Sequence, residues 1–217
     1  SGDPCYGACD LALLQMKQLQ ADLLVHVGHA EIPSQRARDA IYVEARSDKK
    51  IEKPLTEALK LLRHEKRIGL AASVQHLHLL KEAKETLERA GKVVVVGKAS
   101  GRLMYEGQIL GCDYGSVFSV AGDVDAFLVL AGGDFHSLGV SLTSGKRTIV
   151  ADPYQQTARD ATSLVKKILR QRYATIVKFR EAKRIGVVAG LKSGQVNLAL
   201  AARLKTLLEE NGKSCTL

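Results

Sequence analysis

The chain has 217 residues, of which 46% are hydrophobic and 25% charged, an ordinary composition for a globular protein with a substantial core. No apolar run approaches the roughly 18–20 residues that span a bilayer, and residues 1–5 lack the regions of a signal peptide, so we expect a cytoplasmic protein with no membrane partner. The net charge of +9 favours an anionic partner, but the chain has no nucleic-acid-binding motif, so the sequence does not favour nucleic acid as a ligand.

Short runs rich in β-branched and apolar residues alternate with helical patterns along the chain. The runs predict strands at 23–28, 41–45, 68–73, 93–97, 126–131, 148–151 and 185–189. Helical periodicity covers 75–90, 157–182 and 195–210, and Gly91 and Gly212 are placed to end two of these helices. Nearly continuous apolar strands are typical of parallel sheets that are buried on both faces. The alternation therefore predicts an α/β fold of parallel sheets flanked by helices.

Basic residues concentrate near the end of the second predicted helix and just beyond it. They are opposed only by Glu181 and comprise Lys166, Lys167, Arg170, Arg172, Lys178, Arg180, Lys183 and Arg184. Two interpretations remain open for this segment. It is either the solvated face of a helix or a surface that contacts RNA or the ribosome, and the second interpretation predicts an RNA affinity that falls steeply with salt.

The chain also repeats itself, with an offset of 103 residues between the two copies. Cys9 and Cys112 stand at the same point of the repeat, and each is followed by aspartate. A second pair of segments, 67–73 and 184–190, begins Arg-Ile-Gly and leads into Gln75 and Gln195 respectively. The interleaved repeats indicate a protein built from similar modules.

The spacing of the repeats predicts a triplicated architecture that is incomplete at both ends. Residues 1–55 are assigned to the C-terminal part of module 1, residues 56–182 to module 2 and residues 183–217 to the N-terminal part of module 3. A third repeated cysteine would fall beyond residue 217, because Cys215 comes too early for that position. The setting of Cys215 instead resembles the strand that begins after Gly91.

Four cysteines in a chain of this size do not make a disulfide framework. Cysteines at one repeat position can converge on a metal centre, and thiolates are the soft ligands that suit iron–sulfur clusters. Cys9 and Cys112 are therefore the predicted metal ligands, although each alone could be a packed small thiol. Cys5 has Gln108 at its repeat position and no second pair of donors at zinc-ligand spacing, so it is interpreted as incidental.

Five short motifs occur in order along nearly the whole chain. They are Tyr6-Gly7-Ala8-Cys9-Asp10, Gln75-His76-Leu77-His78, Gly107-Gln108-Ile109-Leu110-Gly111-Cys112, Gly133-Asp134-Phe135-His136-Ser137-Leu138-Gly139 and Asp152-Pro153-Tyr154. Together they resemble the archaeal 2-(3-amino-3-carboxypropyl)histidine synthases, a family of transferases that catalyse the first step of diphthamide biosynthesis.

The resemblance implies a 4Fe–4S cluster whose first two ligands are Cys9 and Cys112. A third family ligand has no matching position among the 217 residues. It further implies that S-adenosylmethionine is the substrate and binds the open iron, and that a 3-amino-3-carboxypropyl radical adds to a histidine of translation elongation factor 2. A homodimer and an electron donor are also implied.

Four further residues are candidates for substrate binding. Gln75 and Gln195 open predicted helices, where backbone N–H groups can receive a carboxylate, although both could simply cap helices. His76 follows Gln75, and His136 follows the carboxyl end of a strand, the usual position of ligand contacts in α/β sheets, although His136 could instead stabilise a local turn. A dehydrogenase is a weaker alternative, since no G-x-G-x-x-G motif follows the first strand.

Overall fold

The computed structural model describes residues 5–191 and 196–217, and it has helices on both sides of parallel sheets. The helices are α1 (Leu13–Gln18), α2 (Glu52–Leu61), α3 (Leu80–Arg89), α4 (Gly115–Phe118), α5 (Phe135–Ser144), α6 (Thr162–Glu181) and α7 (Leu198–Glu210). The strands are β1 (Leu24–Val27), β2 (Ala40–Val43), β3 (Arg67–Ala72), β4 (Val93–Val96), β5 (Ala126–Leu130), β6 (Arg147–Asp152), β7 (Thr157–Asp160), β8 (Arg184–Gly186) and β9 (Ser214–Thr216).

The largest sheet has five strands in the order β4-β3-β5-β6-β7. All neighbouring strands in it are parallel except β6 and β7, which pair antiparallel. The carboxyl ends of β3, β5 and β6 therefore lie at one edge, where ligands bind in α/β sheets. The prediction of an α/β fold with parallel sheets is confirmed.

The core lies on both faces of this sheet, because alternate residues of a strand point to opposite sides. Leu128 and Leu130 of β5 pack with α2 and α3, whereas Phe127 and Val129 pack on the opposite side with residues that include Val140 of α5. All residues of β5 are buried, which is the physical reason for its uninterrupted apolar sequence.

Two smaller parallel sheets flank the central one along the chain. β1 pairs with β2, and β8 pairs with β9 so that Ile185 is opposite Cys215. The expected likeness between the Cys215 segment and the strand after Gly91 is confirmed, since both form the second strand of a parallel pair. The module boundaries at 55/56 and 182/183 stay a prediction.

A lysine precedes β4 and another precedes β9, and their matching contacts show the repeat in the folded structure. The Nζ of Lys92 donates to the carbonyl oxygens of Leu62 and Glu65, just beyond the end of α2. The Nζ of Lys213 donates to the carbonyl oxygens of Arg180 and Ala182, at the end of α6. In both places a cation satisfies carbonyl groups that a helix end leaves without partners.

Two sequence-based assignments need correction. The helix predicted over 157–182 begins only at Thr162, because Thr157–Asp160 forms the antiparallel edge strand β7. The helix predicted over 75–90 is a 3₁₀ turn at Val74–Leu79 followed by α3. Gly91 and Gly212 do end their helices, each with a positive φ. Among the described residues, no helix is long and apolar enough to cross a bilayer.

Candidate metal centre

Two cysteine-bearing loops pack against each other. The first cysteine loop is residues 5–12 and the second is residues 98–113. Cys9 of the first loop is buried, and it packs in one apolar cluster with Leu103 and Leu110 of the second loop. Cys112, two residues after Leu110, is exposed at the surface of this cluster. The structure therefore brings the neighbourhoods of the two repeated cysteines together.

A tyrosine and an arginine lie beside the two thiols. The Sγ of Cys9 is 3.8 Å from the hydroxyl of Tyr6, and Nη1 of Arg102 is 3.6 Å from Sγ of Cys112. The pKa of Tyr6 is raised to about 12 by desolvation first, and then by the hydrogen bond to Cys9 and the charges of Cys9, Asp10 and Cys112. The pKa of Arg102 is raised mainly by its hydrogen bond to Cys112, and the charge of Cys9 contributes. Tyr6 and Arg102 each interact electrostatically with both cysteines.

Aspartates hold the backbone of both loops. The carboxylate of Asp113 accepts hydrogen bonds from the N–H groups of Arg102 and Gly115, each at 2.8 Å. The carboxylate of Asp10 accepts one from the N–H of Tyr6 at 3.2 Å. The aspartate after each repeated cysteine therefore shapes the loop that presents the thiol.

A second group of donors lies beside the first cysteine loop. Ligand atoms of Cys5, His26 and His29 all lie within 4.8 Å of one another. Nε2 of His26 is 3.0 Å from Nδ1 of His29, which is 4.0 Å from Sγ of Cys5. Burial lowers the pKa of both histidines, so both imidazoles are neutral at neutral pH. These two histidines were not predicted from the sequence, although their H-x-x-H spacing at the end of a predicted strand is a pattern of metal ligands.

A cleft of about 600 Å³ lies between the first module and the second cysteine loop. Ala30 and Tyr42 line it on one side, and Met104 and Tyr105 line it on the other. Its volume is in the range of small-molecule sites.

Gln75 lies at the junction between the turn after β3 and residues 28–47. It lies in the 3₁₀ turn after β3, and its side-chain Nε2 donates to the carbonyl oxygen of Gly28 at 2.5 Å. Its own carbonyl oxygen accepts a hydrogen bond from the N–H of Ser47. Gln75 thus ties the turn after β3 to two earlier segments of the chain, at Gly28 and at Ser47. Its role in substrate binding stays a prediction.

His76 is buried beside Gln75. Its Nδ1 is 2.9 Å from Oγ of Ser73, and its Nε2 has no hydrogen-bond partner among the described residues. Burial is the main cause that lowers the pKa of His76 to about 4, opposed by the charge of Asp152. A buried, unpartnered nitrogen costs free energy unless a ligand or a water reaches it. The atom is therefore available to a bound molecule.

His136 lies at the start of α5, after the carboxyl end of β5. It is close enough to His76 for its charge to affect the pKa of His76. The same edge carries an ionic network in which Arg159 contacts Asp134 at 2.9 Å and Asp152 at 3.2 Å. The structure thus groups His76 and His136 at one sheet edge. Gln195 lies outside the described residues.

The basic segment of the sequence lies mainly on α6, which has no buried residue. Its basic side chains and several apolar ones, including Tyr173 and Ile176, are exposed. The interpretation of this segment as an RNA-contacting surface stays a prediction.

Comparison with known proteins connects this geometry to a family. The family model described as "Putative diphthamide synthesis protein" matches residues 1–217. The chain belongs to this diphthamide synthesis family. A 2-(3-amino-3-carboxypropyl)histidine synthase of Pyrococcus horikoshii is 35% identical, with an alignment that covers 100% of this chain and 62% of the relative. The corresponding protein of Methanocaldococcus jannaschii is 25% identical over 97% of this chain and 57% of its own length.

Solved structures of the diphthamide synthesis family share the fold. A crystal structure of Dph2 from Pyrococcus horikoshii with a 4Fe-4S cluster matches with a TM-score of 0.87 and 33% sequence identity. That alignment covers 100% of this chain and 63% of the Dph2 chain. The chain thus spans less than two thirds of the length of these relatives.

Proposed function

We propose that this chain carries part or all of a 2-(3-amino-3-carboxypropyl)histidine synthase. It would transfer the 3-amino-3-carboxypropyl group of S-adenosylmethionine to a histidine of translation elongation factor 2. Family membership and the names of the relatives support the reaction. The observation that carries the proposal is the packing of the two cysteine loops, which gives Cys9 and Cys112 shared neighbours.

The residues present fit a 4Fe–4S cluster. Cys9 and Cys112 are free thiols on homologous loops, and thiolates are the usual ligands of such clusters. The apolar cluster around Cys9 restricts water on one side, while Arg102 supplies positive charge on the other. Arg102 and Tyr6 can also donate hydrogen bonds to sulfur, which tunes the reduction potential of a cluster. The third ligand that the family resemblance implies has no matching position in these 217 residues, and the proposal assigns no residue to it.

When bound, the cluster supplies the electron that cleaves the bond between the sulfonium sulfur and the γ-carbon of S-adenosylmethionine. The chain's own residues bind and orient the substrate. In this proposal Gln75, His76, His136 and Gln195 contact the methionine moiety, with Nε2 of His76 as an uncommitted hydrogen-bonding atom. A neutral His76 can accept a hydrogen bond from the amino group of the substrate.

The proposal includes the partners that the family resemblance implies. These are elongation factor 2 as the protein substrate, an electron donor and a second copy of the protein in a homodimer. A cytoplasmic location is part of the same proposal, because elongation factor 2 acts in translation.

Anaerobic reconstitution with iron and sulfide tests the cluster assignment. We expect the unsubstituted chain to bind iron and sulfide and to develop the brown absorbance of an iron–sulfur cluster. Cys9→Ser and Cys112→Ser should each remove most of that absorbance, because each removes one ligand. Iron analysis and electron paramagnetic resonance of the reduced sample measure the loss.

Cys215→Ser is the matched control, since Cys215 lies in β9 and pairs with β8. It should retain the iron content of the unsubstituted chain. Full cluster content in both Cys9→Ser and Cys112→Ser would overturn the assignment. The transfer reaction is tested separately, by release of methylthioadenosine in the presence of elongation factor 2 and a reductant.

A further inference from the structure

A group of metal-binding residues lies outside the Cys9–Cys112 pair. Cys5, His26 and His29 bring one sulfur and two nitrogen ligands within 4.8 Å of one another. We propose that these three residues form a mononuclear site for a zinc-class divalent metal ion. The site is independent of the proposed transferase function, because it uses neither thiol of the candidate cluster.

The distances between the ligand atoms are close to those of a tetrahedral site. Zinc–nitrogen and zinc–sulfur bonds of about 2.0–2.1 Å and 2.3 Å separate neighbouring ligand atoms by roughly 3.3–3.6 Å. The observed separations are 3.0 Å between the two imidazole nitrogens and 4.0 Å between Sγ of Cys5 and Nδ1 of His29. Shifts of about half an ångström, within the reach of small side-chain rotations, bring these two separations to tetrahedral values. The third pair, Sγ of Cys5 and a ring nitrogen of His26, lies within 4.8 Å.

The local backbone holds the two histidines in place. His26 is buried on β1, and its ring packs edge-on against Tyr42. Gly28 has a φ of +95°, which allows the chain to turn sharply between His26 and His29. The N–H of Gly28 donates to Val43, and its carbonyl oxygen accepts from Gln75. The turn that brings the two imidazoles together is therefore fixed from both sides.

The three candidate ligands are present in one copy of the repeat and are replaced in the other. At the offset of 103 residues, Val129 and Gly132 stand where His26 and His29 would be, and Gln108 stands at the position of Cys5. Gln108 is buried, and its side-chain oxygen accepts hydrogen bonds from two backbone N–H groups of the second cysteine loop. The second copy thus uses this position for structure, whereas Cys5 is a free thiol beside two imidazoles.

The donor set distinguishes the two metal sites. One thiolate and two imidazoles combine the sulfur and nitrogen donors that bind zinc, whereas the candidate cluster site offers only thiolates, the usual ligands of iron–sulfur clusters. Three protein ligands also leave a fourth position for water or a substrate atom. We therefore infer a site that binds one divalent ion and keeps one exchangeable position.

Titration with cobalt(II) tests the site, because four-coordinate cobalt with a thiolate ligand has visible d–d bands and a charge-transfer band. The 217-residue chain is prepared without iron and sulfide and titrated anaerobically. We expect one cobalt per chain and displacement of cobalt by zinc. Cys5→Ser should abolish the charge-transfer band. His29→Ala should weaken zinc binding by more than the roughly 10–100-fold that loss of an outer-sphere partner costs.

The double variant Cys9→Ser/Cys112→Ser and the single variant Cys215→Ser are the matched controls. Both should retain the cobalt spectrum of the unsubstituted chain. Circular dichroism establishes that Cys5→Ser, a change at an exposed residue, leaves the fold intact. The proposal is overturned if the unsubstituted chain binds no cobalt. It is equally overturned if the charge-transfer band survives Cys5→Ser or disappears with the Cys9 and Cys112 thiols.

Discussion

At the scale of single residues, His76 combines burial with an incomplete set of hydrogen bonds. Its side chain is 2% exposed and contacts Ser73 and the ring of Tyr154, while Nε2 has no partner in the described part of the chain. Its electrostatic neighbours are His78, Asp152 and His136. A group of this kind makes the stability of the fold depend on pH.

The pKa of His76 is lowered from 6.5 to about 4, so protonation opposes folding. The contribution of His76 is fully present above pH 6.5 and is lost as the pH falls towards 4. We expect a loss on the order of 3 kcal/mol in the free energy of unfolding across that window. Urea denaturation at several pH values measures it.

His76→Asn should flatten this part of the stability profile, because the titrating group is absent. His64→Asn is the matched control at an exposed histidine and should leave the profile unchanged. An equal pH dependence in the His76 variant and the unsubstituted chain would refute the assignment.

The residues of the candidate cluster site could be predicted because the repeat makes them visible. Cys9 and Cys112 stand out through their common offset, which Cys5, four residues before Cys9, does not share. His26 and His29 were not predicted, because the apolar pattern of β1 identifies a strand without showing which loop it meets. Their meeting with Cys5 depends on the turn at Gly28 and on tertiary packing.

At the scale of elements, the two lysines that close helix ends are equivalent parts of the repeat. Lys92 joins the start of β4 to the end of α2, and Lys213 joins the start of β9 to the end of α6. In each case the ammonium group donates hydrogen bonds to backbone carbonyl groups that have no partner within the helix.

Lys92→Met should lower the free energy of unfolding by about 2 kcal/mol, because it leaves partly buried carbonyl groups without a charged donor. Lys213→Met should reduce hydrogen-exchange protection in β8 and β9 by the same mechanism. Lys84→Met is the control at an exposed i,i+4 ion pair and should change stability by less than about 0.5 kcal/mol. Equal effects of Lys92→Met and Lys84→Met would contradict this account.

The apolar strands of the central sheet could be predicted from the sequence, because burial on both faces requires continuous apolar runs. β7 could not, since Thr157–Asp160 has a mixed sequence and is an edge strand that pairs only with β6. Its side chains make ionic and hydrogen-bonding contacts, such as that of Asp160 with Arg147 at 2.8 Å. Pairing of this kind leaves no periodic apolar signal.

At the scale of the whole molecule, the contact of residues 5–47 with the turn after β3 and the second cysteine loop brings the two cysteine loops together. The apolar cluster of Cys9 with Leu103 and Leu110 forms one part of that contact. The hydrogen bonds of Gln75 to Gly28 and Ser47 form another. The periodicity of the sequence predicts individual strands and helices, but it contains no information about this contact between them.

Gln75→Ala should loosen the junction, because the carbonyl oxygen of Gly28 loses its donor. We expect faster amide exchange in segments 28–32 and 98–112 and little change in β5 and β6. Hydrogen–deuterium exchange with mass spectrometry measures this. Gln171→Ala, on the exposed surface of α6, is the control. Unchanged exchange around Gly28 in Gln75→Ala would show that the side chain of Gln75 does not hold the junction.

The carboxylates of Asp10 and Asp113 bind backbone N–H groups of their own loops, and neither contact needs a metal. If Cys9 and Cys112 hold a cluster as proposed, loss of its iron to oxygen would therefore leave both loops folded. Repair would then need only fresh iron, sulfide and reduced thiols, without a round of refolding.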